Sequence, residues 1–97
     1  MELVVLNLLR DGQHHGYEMV QILKRNDTLE IREGNIYPIL ARLQTDGLVT
    51  SRSEASQDGP PRRYFAITDL GLKTLDSMNS HFDRMIESIQ RVRERPV

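Results

Sequence analysis

Between Thr68 and Pro96 nothing in the sequence stops a helix, and Leu75, Met78, Phe82, Met85, Ile89 and Val92 recur there at alternating spacings of three and four residues. That alternation is a heptad seam, and Ile86 widens it. Thr68 is a good N-cap and Asp69 suits the positive first turn. A helix of this extent is roughly 40 Å long at 1.5 Å per residue. The chain has 97 residues, enough for one small domain, and a domain of that size hides little more than about 60% of its extended surface. Such a core cannot cover the whole seam. The first half of the helix is expected to pack on its own domain and the second half on another copy of the chain. The dimer interface read from the seam is Leu75, Met78, Phe82, Met85, Ile86, Ile89 and Val92.

Ahead of this helix the apolar periodicity changes twice. Leu3 to Leu9 is apolar almost all round and is closed by Asp11-Gly12, which predicts a buried helix over about 2–11. A second helix is expected to open at His14-His15-Gly16, with Glu18 where a capping-box acid would sit, followed by Met19, Val20, Ile22 and Leu23. Ile36, Ile39, Leu40 and Leu43 then stand at i, i+3, i+4 and i+7, and Asp46-Gly47 stops that third, amphipathic helix. Pro38 falls inside it. Either the helix starts before Pro38, which removes one hydrogen bond to Gly34, or it begins at Pro38 itself; the earlier start is preferred. Leu48 to Ser53 and Arg62 to Thr68 are rich in β-forming residues and flank Ser56-Gln57-Asp58-Gly59-Pro60-Pro61, which predicts a β-hairpin with a stiff tip.

Composition removes several classes of function. With no Cys there are no disulfides, thiolate metal sites or Cys nucleophiles, and a reduced, cytoplasmic setting is the expectation. The run Leu3 to Leu9 is broken by Asn7 and preceded by Glu2 instead of Lys or Arg, unlike a signal peptide, and is too short to span a bilayer. The formal charge of −1 supplies no domain-wide basic footprint, so attraction for nucleic acid has to be local. His14 and Glu18 stand at i, i+4, but no third ligand accompanies them and no metal site or other cofactor is expected. Ser, His and Asp occur without a nucleophile elbow or a Gly-rich phosphate loop, and no enzyme activity is expected.

The order helix, helix, helix, two-stranded wing, long helix is that of a mainly α winged helix-turn-helix with a small β-hairpin and a long C-terminal dimerisation helix. Residues 1–68 are the DNA-binding unit on this reading and 69–95 the dimerisation helix. Three stretches carry a family resemblance: Leu8-Leu9 with His15-Gly16-Tyr17-Glu18; Gly34-Asn35-Ile36-Tyr37-Pro38 with Leu40, Leu43, Gly47 and Leu48; and Arg62-Arg63-Tyr64-Phe65-Ala66-Ile67-Thr68 with Gly71. In that order and spacing they resemble the PadR family of bacterial transcriptional regulators, particularly its short members. The resemblance implies a homodimeric repressor bound to a two-fold DNA operator, often released by a small aromatic compound. Arg32-Glu33 replaces the family's usual Ser-Pro, so the expected N-cap is lost and an acid stands near the DNA-facing end. The chain has no Trp, so a drug site built from stacked tryptophans is excluded, and Met78, Phe82 and Met85 near the dimer axis are the candidate effector lining.

In a helix-turn-helix the third helix enters the major groove. Its core stripe leaves Gly34, Pro38, Ala41 and Thr45 on the far side, with Asn35, Tyr37 and Arg42 flanking. Gly34 allows close backbone approach. Asn35 suits an adenine edge or serves only as a cap; Arg42 suits a guanine edge or is only solvated; Tyr37 bonds a phosphate or packs at the rim. Tyr17 meets phosphate beside the second helix's N-terminus or packs on the third helix. Arg62 and Arg63 of the wing are phosphate candidates, with a charged strand edge as the alternative. Arg52 adds a third cation across the hairpin. A winged-helix module that binds protein instead of DNA is the competing reading, kept open by the near-neutral charge.

Overall fold

The computed structural model describes residues 1–96, the side chains of Asp27 and Glu33 excepted; the acid read at Glu33 therefore lies outside the described residues. Among the described residues four helices and three strands follow one another as α1 (Glu2–Leu9), β1 (His14–His15), α2 (Gly16–Leu23), a 3₁₀ turn (Asp27–Leu29), α3 (Glu33–Thr45), β2 (Val49–Ser56), β3 (Gly59–Ile67) and α4 (Asp69–Arg93). The strands form one antiparallel sheet in the order β1-β3-β2. The molecule measures 62 × 29 × 20 Å, its length set by α4.

Alternation and period explain which side chains go inside. Val5, Leu6 and Leu9 of α1, Met19, Val20 and Leu23 of α2, Ile36, Leu40 and Leu43 of α3, Val49 and Phe65 of the sheet and Leu75 of α4 form one core. Each fully buried Leu stabilises the fold by about 1.5–3 kcal/mol relative to an exposed one. The early start of the third helix holds, with Pro38 in its second turn. The Gly34 carbonyl that Pro38 cannot bond is near the helix start, where the loss is small. Gly47, at φ 77°, ends α3, and the Leu48 N–H closes on the Leu43 carbonyl at 2.9 Å.

Three details differ from the sequence reading. The hairpin strands run further than expected and meet across Gln57-Asp58, so Pro60 and Pro61 lie in β3, not in the tip. Proline is tolerated there because β1 pairs with β3 only at Tyr64 and Phe65, which leaves the proline end of β3 as an edge. The extra strand β1 is two residues long, and no periodicity can announce so short an element. Finally, Leu75 is withdrawn from the dimer seam: it is completely buried in the core of its own chain and cannot reach a partner.

The start of α4 is fixed at both ends of its first turn. Thr68 Oγ1 accepts the Gly71 N–H at 2.9 Å and donates to the Gly47 carbonyl at 2.7 Å. A Cβ on Gly71 would fall 2.2 Å from the Leu48 carbonyl oxygen, so only glycine lets α4 come this close to the β2 entry. Further along, Asn7 and Asn79 exchange two amide hydrogen bonds of 3.0 and 2.9 Å, locking the register of α1 on α4. Beyond Asn79 every described α4 side chain is exposed.

Candidate nucleic-acid interface

A groove opens where the N-terminus of α2, the first turns of α3 and the β3 strand meet, lined by His15, Gly16, Tyr17, Tyr37, Pro61, Arg62 and Arg63. Its floor depends on Gly16. A Cβ there would lie 2.6 Å from the Tyr37 ring, so the glycine is what lets the α3 tyrosine cross the start of α2. Both Tyr17 and Tyr37 remain about half exposed, with polar tips available to an acceptor. The positive end of α2 adds its own partial charge. Among the described residues no carboxylate forms an ion pair with Arg62 or Arg63: Glu54, opposite Arg62 across the hairpin, pairs with Arg52 at 3.0 Å, and Glu18 contacts His14 Nδ1 at 2.6 Å. The groove is thus locally cationic in a chain of nearly neutral total charge.

The structure brings Tyr17, Tyr37, Arg62 and Arg63 together and leaves the other candidates on α3 outside the groove. Asn35 turns back on its own helix start: its Oδ1 accepts the Arg32 N–H at 3.1 Å and its Nδ2 reaches the Glu30 carbonyl at 3.4 Å. That bond replaces half of the capping lost with the usual serine. Arg42 lies on the opposite flank, where Nη1 donates to Glu2 Oε1 of α1 at 3.0 Å. Glu2 is held below its ordinary pKa chiefly by a hydrogen bond from its own backbone N–H, which outweighs the opposing push from burial, with lesser help from the N-terminal charge and Arg42.

Between these flanks Gly34, Pro38, Ala41 and Thr45 are all exposed. Thr45 Oγ1 is committed to the Ala41 carbonyl at 3.0 Å, and a Cβ on Gly34 would meet nothing within 4 Å. The outward face of α3 is therefore smooth and shallow. Arg52 stacks on Tyr64, with its guanidinium carbon 5.4 Å from the ring centre, and does not line the groove. His15 is a groove residue that sequence reasoning does not single out. The available signal was its position directly before α2, three residues ahead of Glu18, which marks an N-cap.

An exposed third helix flanked by a cationic wing and a helix N-terminus, on a three-helix core, defines the winged helix-turn-helix class of DNA-binding proteins. The model of the transcriptional regulator PadR-like family matches residues 5–77, and this chain belongs to that family: it is a transcriptional regulator and not an enzyme. A transcriptional regulator of Mycobacterium tuberculosis is 33% identical over 75 residues, covering 77% of this chain and 68% of that protein. The crystal structure of a PadR-like regulator from Bacillus cereus superposes with a TM-score of 0.85 at 28% identity, covering 98% of this chain and 92% of the other. Bacillus subtilis PadR, crystallised in complex with operator DNA, matches with a TM-score of 0.72 at 25% identity over 79% of this chain and 45% of its own. Among the described residues no helix is long and apolar enough to cross a membrane.

Proposed function

We propose that this chain is a homodimeric, sequence-specific repressor that binds a two-fold DNA operator in the cytoplasm and is released by a small aromatic effector. The observation that carries the DNA part is the convergence of Tyr17, Tyr37, Arg62 and Arg63 on the positive end of α2, next to the uncovered face of α3. In this reading α3 enters the major groove with Gly34 and Pro38 against the duplex. The wing arginines and both tyrosines hold phosphates, which set register without specifying sequence. Arg42 exchanges its Glu2 contact for a guanine edge. Asn35 has a smaller part than its chemistry suggests, since reading an adenine would cost it the cap. That a family relative was crystallised with operator DNA supports the same partner for this chain.

The dimer part rests on α4. Phe82, Met85, Ile86, Ile89 and Val92 are between 38% and 67% exposed along a single stripe, the arrangement that a second helix covers knob into hole. Residues 1–68 act as the DNA-binding unit and 69–95 as the dimerisation helix. Met78 packs partly on the core, whereas Phe82 and Met85 stand open, so an effector pocket lined by these three would be completed by the second copy.

The test is fluorescence anisotropy with labelled DNA from upstream of its own gene against a scrambled duplex at two salt concentrations. Tighter binding to the native fragment is expected, with log K falling against log salt at a slope of about −0.9 per phosphate contacted. Equal, weak and salt-insensitive binding to both would favour a protein-binding winged helix.

A further inference from the structure

His15 is only 9% exposed, yet its ring opens onto the cationic groove. Three contacts pin it. Nδ1 accepts the backbone N–H of Glu18 at 3.0 Å and so caps α2. The ring meets Tyr64 edge to face at a centroid distance of 5.4 Å, and the backbone pairs with Tyr64 across β1 and β3. A backbone amide can only donate, so Nδ1 must present its lone pair and the imidazole proton must sit on Nε2. Nε2 in turn faces Arg62 Nη1 at 3.1 Å. A guanidinium has donors and no acceptor. The capping bond therefore leaves two N–H donors facing each other at hydrogen-bond distance, one of them on a side chain nine-tenths buried, and no hydrogen bond can join them directly. An oxygen acceptor placed beside both would satisfy both.

We infer that His15 Nε2–H and the Arg62 guanidinium form a two-donor clamp for a phosphate oxygen, supplied by the DNA backbone at the positive end of α2. The inference deepens the DNA-binding reading and rests on it for the source of the phosphate. An anionic oxygen is the fitting acceptor because it accepts several bonds at once and is attracted by both the guanidinium and the helix end. Of the neighbouring acids, Glu18 is turned to His14, and Glu54, which stands opposite Arg62 across the hairpin, pairs with Arg52. His15 thus has two separable duties: its Nδ1 side holds the helix and its Nε2 side holds the ligand.

His15→Asn separates them. Asparagine is a strong N-cap but is too short to place a donor where Nε2 lies. A phosphate contact carries no sequence information, so any duplex at low salt serves as probe. The variant is expected to melt close to the wild type and to bind about tenfold more weakly with an unchanged salt slope, because the neutral imidazole carries no charge, whereas Arg62→Ala should lose about 0.9 from the slope. Adding His15→Asn to Arg62→Ala should cost little more than Arg62→Ala alone. Wild-type affinity in His15→Asn, or losses that simply add, would overturn the clamp. A second readout does not depend on the variant folding or on DNA. In the wild type the His15 Nε2–H resonance should shift saturably with inorganic phosphate, and in Arg62→Ala it should not. No shift in the wild type overturns the clamp. A shift without duplex binding would uphold the anion site while sinking the DNA reading.

Discussion

α3 and α4 are both amphipathic helices, and the domain covers the apolar face of only one. Ile36, Leu40 and Leu43 of α3 are sealed in the core, while α4 is anchored by Leu75 and Met78 and then runs on with Phe82, Met85, Ile86, Ile89 and Val92 in the open. What each helix leaves uncovered also differs in kind. α3 shows solvent a smooth strip of Gly34, Pro38, Ala41 and Thr45, shaped for close approach to a polar duplex. α4 shows solvent side chains that water disfavours, which suits an apolar partner. The contrast teaches that amphipathicity alone does not say where the partner of a face lies; the volume of core within reach decides it.

The comparison breaks most visibly at the α4 seam. Phe82→Asp together with Ile89→Asp should convert dimers to monomers in sedimentation and lower the affinity for a two-site operator by about 10² to 10⁴, the usual gain from linked sites. The monomer should keep its helical spectrum, because neither residue touches the core. Dimers that persist would move the interface to another surface. Leu40→Ala, the matching change on α3, should instead lower unfolding free energy by about 2–5 kcal/mol, read by denaturant titration. If the two changes had the same effect, the division between an inward and an outward partner would be wrong.

Two smaller effects sharpen the account of the α3 surface. Arg42→Ala should weaken specific binding by about 1–3 kcal/mol and relax one base position; unchanged affinity and base preference would leave Arg42 as a tie to α1 alone. Gly34→Ala meets no atom of its own chain and should raise stability by about 0.5–1 kcal/mol through helix propensity. Any accompanying loss of DNA binding then reports contact with the duplex, whereas unaltered binding would place Gly34 away from it.

The smallest effect concerns Glu2, whose folded-state pKa lies below its ordinary value of 4.5, first through its backbone hydrogen bond and also through the N-terminal charge and Arg42. A depressed carboxylate stabilises the fold at neutral pH, and that contribution disappears as pH falls through the folded value. In Glu2→Gln the drop in melting temperature between pH 7 and acid conditions should therefore be smaller. An identical drop would show that the charge of Glu2 contributes nothing to stability.

Much of this architecture was legible in residue order because it rests on local signals. The period of α3, its Gly47 stop, the Thr68 cap and the heptad of α4 each follow from side chains a few positions apart. The groove was legible only in part. Tyr17, Tyr37, Arg62 and Arg63 are each recognisable as phosphate-binding types, but Tyr17 and Arg62 are 45 residues apart in the chain, and only the β1–β3 pairing brings them to one place. Asn35 and Arg42 show the reverse. Their chemistry suits base edges, yet Arg32, Glu30 and Glu2 hold them, and those partners follow from helix packing and cap geometry that side-chain type does not encode.

By itself the sequence determined where helices start and stop, which faces are apolar, and that α4 outruns any core the chain can build, because these are matters of local propensity and total volume. Only the tertiary structure decided that Leu75 belongs inside and that His15 turns its second nitrogen to Arg62, because both depend on which long-range surfaces meet.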